Sequence, residues 1–444
     1  MRQPVIKREF VRNIKVKVLV PMAVISLLTL ISCTARAQVS FFETDSTYEN
    51  MASGKFTPGK GFQLVQTKFG SLNISAYGMA RWVDQVSPDT TWVDHLGNTK
   101  TFDSRNDIYW HRSMIWFKGF LGTPKLTYAI TVWTVTTTQQ TLVFGTIMYR
   151  FNKYLTAGIG MTPNVCIRTL QGAFPFFTST DRTMAEDGLR GGFTNGVFIS
   201  GEILPRLRYT AVLGNNLSIL GVKAANLTRH FSKSISLEWE PTTGEFGPRG
   251  GNGDFENHQK IATRFGASYC HSRENRFNNT GTPSPDNTQV RLSDGVLFFE
   301  TDAMAPGVTV IEANYDLIAV DLGFKIKGFA LHTEFYYRTL SKIDADGPVP
   351  LSIIRDKGYA VQALYMAIPK ILCIYGVNSM IIDEFKRNPY EAGGGVNIYP
   401  LKTRSWRINA QAMYIYKSAA GGTFGLYTNG QTGATITIGT DILL

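Results

Sequence analysis

Eight arginines carry the most specific chemistry in this sequence. Arg168, Arg182 and Arg190 fall in the stretch Pro163 to Thr194, and Arg81, Arg208, Arg264, Arg338 and Arg407 fall in segments of alternating polarity. A guanidinium is planar, permanently charged and matched to phosphate and carboxylate through a bidentate fork. A ring of such groups around a narrow passage creates a positive potential that selects anions. Among acids, alternation turns Glu238 and Glu334 to the same side as the five wall arginines, so a modest positive excess is expected. Small anionic solutes are the expected ligands. The competing reading of each arginine is that it neutralises a neighbouring acid or anchors a loop.

Other chemistry is weakly signalled. His95, His111, His230, His258, His271 and His332 are scattered without the spacing of zinc ligands. His332 and Glu334 share a strand face and read as a solvated wall contact. Nothing points to a nucleophile beside a base, so no enzyme is expected. The glycine-rich pieces Pro248–Asp254 and Glu391–Asn397 lack the lysine and following helix of a phosphate loop. They read as a turn and a closely packed strand, with Asp254 and Glu256 as solvated turn carboxylates. Past the N-terminal segment the cysteines are Cys166, Cys270 and Cys373, an odd number at unrelated spacings that shows no disulfide framework or metal site. No cofactor is expected.

The N-terminus reads as an export signal. Six basic residues from Arg2 to Lys17 precede the apolar run Val18 to Ile31, and Ala35-Arg36-Ala37 offers a small-x-small cleavage site. The competing reading places a lipid on Cys33, after Leu30-Ile31-Ser32. Cleavage after Ala37 removes seven basic groups and one acid, reducing the formal charge from +11 to +5. A nucleic-acid partner thereby loses its main support. Residues 38–60 are polar and aperiodic, and read as a periplasmic lead-in or, equally, a disordered tail.

Beyond residue 60 the chain alternates with period two. Leu72, Ile74, Ala76, Ala80 and Trp82 interleave with Asn73, Ser75, Tyr77, Met79 and Arg81; Trp406, Ile408, Ala410, Ala412, Tyr414 and Tyr416 interleave with Arg407, Asn409 and Gln411. With charged residues at only 18% and no apolar run of about 20 residues, the composition fits strands in a membrane and excludes a bundle of membrane helices. Tight turns such as LGTP, LPR and IKG alternate with longer polar connections, such as Ser272–Gly307, Ser341–Ile354 and Met380–Tyr390. Short turns at one end and long loops at the other are the asymmetry of an outer-membrane β-barrel, whose outer face meets lipid.

The expected fold is therefore all-β, a transmembrane antiparallel barrel over residues 61–444. Its sixteen strands are expected to start near 72, 108, 125, 142, 154, 196, 206, 233, 260, 313, 328, 356, 371, 391, 404 and 432. A barrel of that size leaves an aqueous channel. The insertion at Pro163 becomes its third external loop, the segment expected to fold inward and narrow the pore. The last strand ends in Leu444 where many such barrels end in an aromatic residue.

GIGMTPN, the FPFF of Phe174–Phe177, Arg182, LRGG at Leu189–Gly192, GVFISGEI and LRYTAVLGNN together resemble the phosphate-selective porin O and P family. WEPTTGEFG at Trp239–Gly247 and the GDFENHQKIATRFGASY that follows extend the resemblance over nearly all of the chain beyond Gly61. The resemblance implies a trimeric, water-filled barrel that passes small anions, with arginines along the pore and lysines near its constriction. The arginines find only partial counterparts, among the eight above. A matching lysine cluster is not legible.

Overall fold

A computed structural model describes residues 61–444 apart from 103, 136–139, 172–176, 220–223, 243–252, 276–289 and 420–424, together with the backbone of 49–50 and 54–57. The expected signal segment and nearly all of the lead-in lie outside the described residues, as do Phe174 and Phe176 of the FPFF motif.

Sixteen strands close into one antiparallel barrel. In chain order they are β1 (Ser71–Val86), β2 (Asn106–Leu121), β3 (Thr123–Val135), β4 (Gln140–Arg150), β5 (Thr156–Pro163), β6 (Phe193–Leu204), β7 (Leu207–Gly214) and β8 (Ser232–Trp239). They continue as β9 (Ala262–Asn275), β10 (Val310–Ile326), β11 (Phe329–Ala345), β12 (Ile353–Ile368), β13 (Leu372–Ile382), β14 (Tyr390–Ile398), β15 (Trp406–Tyr416) and β16 (Gly433–Leu443). Each pairs with the next, and β16 pairs with β1 from Ala434 opposite Val86 to Leu443 opposite Tyr77. The terminal leucine takes part in this seam, where Leu444 N–H donates to the Ala76 carbonyl at 2.8 Å. Where β16 stops, the short strand Gly61–Gln66 takes over the edge of β1, with Phe62 opposite Ile74. Every strand starts within three residues of the position expected from the sequence.

The pleat sorts residues by period. Ile130, Val143, Ile147, Ile159, Val197, Ile318, Val320, Phe335 and Ile374 all stand exposed on the outer face. A continuous apolar exterior of this kind belongs in hydrocarbon, and ring closure leaves no strand edge lacking hydrogen-bond partners there. Tight turns cluster at one end. At Lys327-Gly328 both residues take positive φ, 48° and 83°, the conformation that suits a two-residue hairpin.

Two features differ from the sorted connections expected. The β11–β12 and β13–β14 connections shrink to 346–352 and 383–389, because the strands run further than the polar sequence suggests. Conversely, the β8–β9 connection, 240–261, is long although it lies at the tight-turn end. Its described part turns inward. Asp254 is fully buried and accepts from Gly328 N–H at 2.7 Å, and Phe255 packs edge-on to Tyr399 beneath Arg404. Asp254 is thus no solvated turn carboxylate: it satisfies a backbone donor inside the barrel.

Candidate functional site: the filled lumen and its open strip

The lumen is filled unevenly, and the chief filler is the connection 164–192. Its backbone is tied to inward side chains of the wall. Val165 N–H donates to Ser234 Oγ (3.1 Å), Arg168 N–H to Glu334 Oε1 (2.9 Å), Thr180 N–H to Gln411 Oε1 (3.1 Å) and Met184 N–H to Glu391 Oε1 (2.7 Å). In the other direction, Asn397 Nδ2 donates to Thr178 O, and Arg407 Nη1 donates to Phe177 O at 2.6 Å. Among its described residues the loop carries a 3-10 turn, Arg168–Gln171, and one α-helix, α1 (Met184–Leu189), capped by Thr183, whose hydroxyl accepts from Glu186 N–H. Ile167, Leu170 and Leu189 pack against Leu317, Ala319, Leu340, Ile354 and Ala360, which point inward from β10 to β12. Those apolar inward residues depart from the expected polar lining. They are stable there because the loop covers them, each buried Leu or Ile contributing about 1.5–3 kcal/mol. Residues 290–304 and 425–427 add to the filling: Phe298, Phe299 and Met304 join the same cluster, and Gly425 O accepts from Arg81 at 2.9 Å.

All five wall arginines face inward, as expected from strand parity. The acids that meet them are more numerous than Glu238 and Glu334. Arg264 reaches Glu238 (2.7 Å) and Asp321 (2.6 Å), Arg338 reaches Asp356 (2.6 Å), and Arg407 reaches Asp441 (2.5 Å). Arg208 is shared by Glu238 (2.9 Å) and Glu240 (3.2 Å). Arg81 shares Asp181 of the loop with Arg112, an inward arginine that strand parity did not pick out. The expected excess of wall arginine over wall acid is therefore absent. Five arginines meet Glu238, Asp321, Asp356, Asp441 and a loop aspartate, with Glu334 also turned inward.

The loop arginines are also engaged. Arg182 lies 3.1 Å from Glu186 and stacks over Phe177, and Arg190 lies 3.2 Å from Asp187. Arg168 meets His332 Nδ1 at 3.0 Å while its own N–H holds Glu334. His332 and Glu334 are both buried, so this pair is a loop anchor and not a solvated wall contact. Asp181, Glu186 and Asp187 balance Arg168, Arg182 and Arg190 in number. Burial favours protonation of Asp181, but Arg112 and Arg81 outweigh it and hold the carboxyl below its ordinary range. Burial dominates at Glu186, pushing it up to about 7 against the opposing pull of Arg182.

The strip from β3 to β7 is different. Its inward residues Thr127, Ala129, Phe144, Thr146, Met148, Phe198, Ser200 and Thr210 remain partly exposed, whereas inward positions of β8 to β16 are mostly buried. Toward the tight-turn end the strip opens into a cavity of about 510 Å³ lined by Lys125, Arg150, Lys153, Glu202 and Arg208, among others. Arg208 is paired, as above. Among the described residues Lys125, Arg150 and Lys153 have no carboxylate within salt-bridge reach, and Lys153 sits over the Tyr154 ring at 4.8 Å. The sequence reading missed this group because its members lie on three different segments. A same-face count of β3 and β4 at their turn-proximal ends is the signal that finds two of them.

The structure also joins two cysteines that spacing leaves unrelated. Cys166 of the loop and Cys270 of β9 are both fully buried free thiols within one apolar cluster. Among the described residues no group of acids, histidines and cysteines is arranged to hold a metal ion.

Comparison with family models and with curated proteins finds no match, so the resemblance to phosphate-selective porins gains nothing from that side. Solved structures do match. The chain is similar to OmpT of Vibrio cholerae, with a TM-score of 0.51 and 12% identity over 86% of this chain and 99% of that one. It is similar to an anion-selective porin from Comamonas acidovorans, with a TM-score of 0.50 and 9% identity over 84% and 100%. It is likewise similar to the outer-membrane channel DcaP of Acinetobacter baumannii, with a TM-score of 0.50 and 9% identity over 87% and 100%. What the chain shares with all three, at such low identity, is the fold, a closed antiparallel β-barrel.

Proposed function

We propose that this chain is an outer-membrane porin, a passive diffusion channel that prefers small anions such as phosphate or organic carboxylates. The observation that carries the reading is the partly exposed strip along β3 to β7, which ends in a cavity edged by three basic residues without acid partners. In this reading Arg168, Arg182 and Arg190, with wall residues Arg81, Arg208, Arg264, Arg338 and Arg407, frame the constriction. They fix the loop against one side of the lumen and so define the width of what is left. Selection falls to Lys125, Arg150 and Lys153, which outnumber Glu202, the one carboxylate among the cavity's lining residues, and raise the concentration of anions at the mouth. Transport needs no bond to be made or broken. Export by residues 1–37, insertion in the outer membrane of a Gram-negative cell and assembly as a homotrimer belong to the same proposal.

The packed half of the lumen favours one second reading, a barrel plugged by its own loops that serves as a structural or adhesive surface protein. Planar-bilayer recording separates the two. Stepwise conductance with a reversal potential on the anion side supports the porin, and a barrel that inserts without any conductance supports the plug.

A further inference from the structure

Cys166 and Cys270 are brought together by the same contacts that hold the loop in the lumen. Ser268 and Cys270 are successive inward positions on β9, and Ser268 Oγ donates to the Cys166 carbonyl at 2.7 Å. This bond sets the loop backbone beside the wall where the Cys270 thiol emerges. From the opposite side Gly191 N–H donates to Cys166 Sγ at 3.2 Å. A Cβ at residue 191 would stand 3.0 Å from that sulfur, so the glycine is what lets the second limb of the loop close over it. Both thiols lie in one apolar cluster with no exposure to solvent.

We propose that Cys166 and Cys270 are joined by a disulfide in the exported protein, strapping the lumen loop to β9. The inference rests on the reading that the chain leaves the cytoplasm, since disulfides persist in oxidising compartments. The co-reactant is a disulfide of the periplasmic thiol–disulfide exchange system. One cysteine thiolate attacks a sulfur of that disulfide, forming a mixed disulfide and expelling one thiolate. The second cysteine thiolate then attacks the protein sulfur of the mixed bond and expels the other. The two cysteines lose two electrons, the oxidant gains them, and the two protons pass to the expelled thiolates. Because both sulfurs are sealed in the finished structure, the bond forms before the loop packs and is shielded afterwards. Cys373 stays outside the bond: it lies on β13 in a different cluster, beside Gly253.

Peptide mapping of the full chain, taken from the outer-membrane fraction, tests the proposal. The protein is unfolded in guanidinium with an alkylating agent and no reductant, then cut with trypsin. The expected result is a single species joining residues 154–168 to residues 265–273, two hydrogens lighter than the sum, with the Cys373 peptide alkylated as internal control. Reduction should split it into two alkylatable peptides. Cys166→Ser should leave Cys270 alkylated without reductant. A dithiol added to the folded barrel should leave the bond intact until the chain is unfolded. Recovery of both peptides alkylated without reductant, from outer-membrane material, overturns the bond alone. A chain found only in the cytoplasm overturns the export reading and the bond with it.

Discussion

The basic group at the turn-end mouth gives a prediction whose size follows from its geometry. A sphere of 510 Å³ has a radius of about 5 Å, which places the lining charges roughly 8 Å from the centre. In water one unit charge at about 8 Å is worth roughly 0.5 kcal/mol, and screening at 0.1 M salt reduces this to about 0.2 kcal/mol. Lys125, Arg150 and Lys153 together then stabilise an anion, and destabilise a cation, by about 0.7 kcal/mol each. The ratio of anion to cation permeability should therefore fall about tenfold when all three are replaced by Gln. At 1 M salt, where the screening length is about 3 Å, the same replacement should change the ratio less than twofold. Reversal potentials across a bilayer in a potassium chloride gradient, recorded at both concentrations, measure the effect. An unchanged ratio at 0.1 M, with conductance retained, removes these residues from selection. An equal change at both concentrations refutes the electrostatic argument.

Three further outcomes are expected. Replacing Arg168, Arg182 and Arg190 together by Ala removes three positive charges and leaves Glu186 and Asp187 without their partners, while Asp181 keeps Arg81 and Arg112, so the reversal potential should move toward the cation and the current should grow noisier as the loop loosens; a trace identical to the parent would place the loop outside the conduction path. Glu186 is ionised above about pH 7 and neutral below it, so lowering the pH from 8 to 6 adds one net positive charge to the loop. Anion preference should then rise by roughly twofold, by the same screened-charge arithmetic, and Glu186→Gln should hold the higher value at both pH values. Arg338→Met strands the buried Asp356 carboxylate and should destabilise the barrel by about 3–5 kcal/mol, read as a lower temperature for loss of the compact band on unheated gels, whereas Arg338→Met with Asp356→Leu should recover most of the loss.

The barrel was legible because period two is a local signal. Trp406 to Ala412 alternate without a break, and each strand start could be placed from its own neighbours. What the lumen contains is not local. Asp321, Asp356 and Asp441 sit one strand away from the arginines they neutralise, and pairing register decides that contact. Leu317, Leu340 and Ile354 face inward against the rule for a water-filled pore, and only the loop that covers them explains why. Asp254 looked like a turn residue because Gly and Asn surround it, yet its role is set by Gly328, which is 74 positions away. Cys166 and Cys270 lie 104 positions apart and meet through a loop that reverses into the barrel.

The seam between the first and last strands carries a cost in time. Arg81 stands opposite Gly439, 358 positions later, so the ring cannot close until that distant strand has been delivered. Pairings of such sequence separation form slowly, and until they form the chain carries two open edges and a row of lipid-facing side chains in water. A product that stops before Gly433 would keep those edges permanently. The strand Gly433 to Leu443 is thus the piece the other fifteen must wait for, and the time that wait lasts is the time the edges stay open.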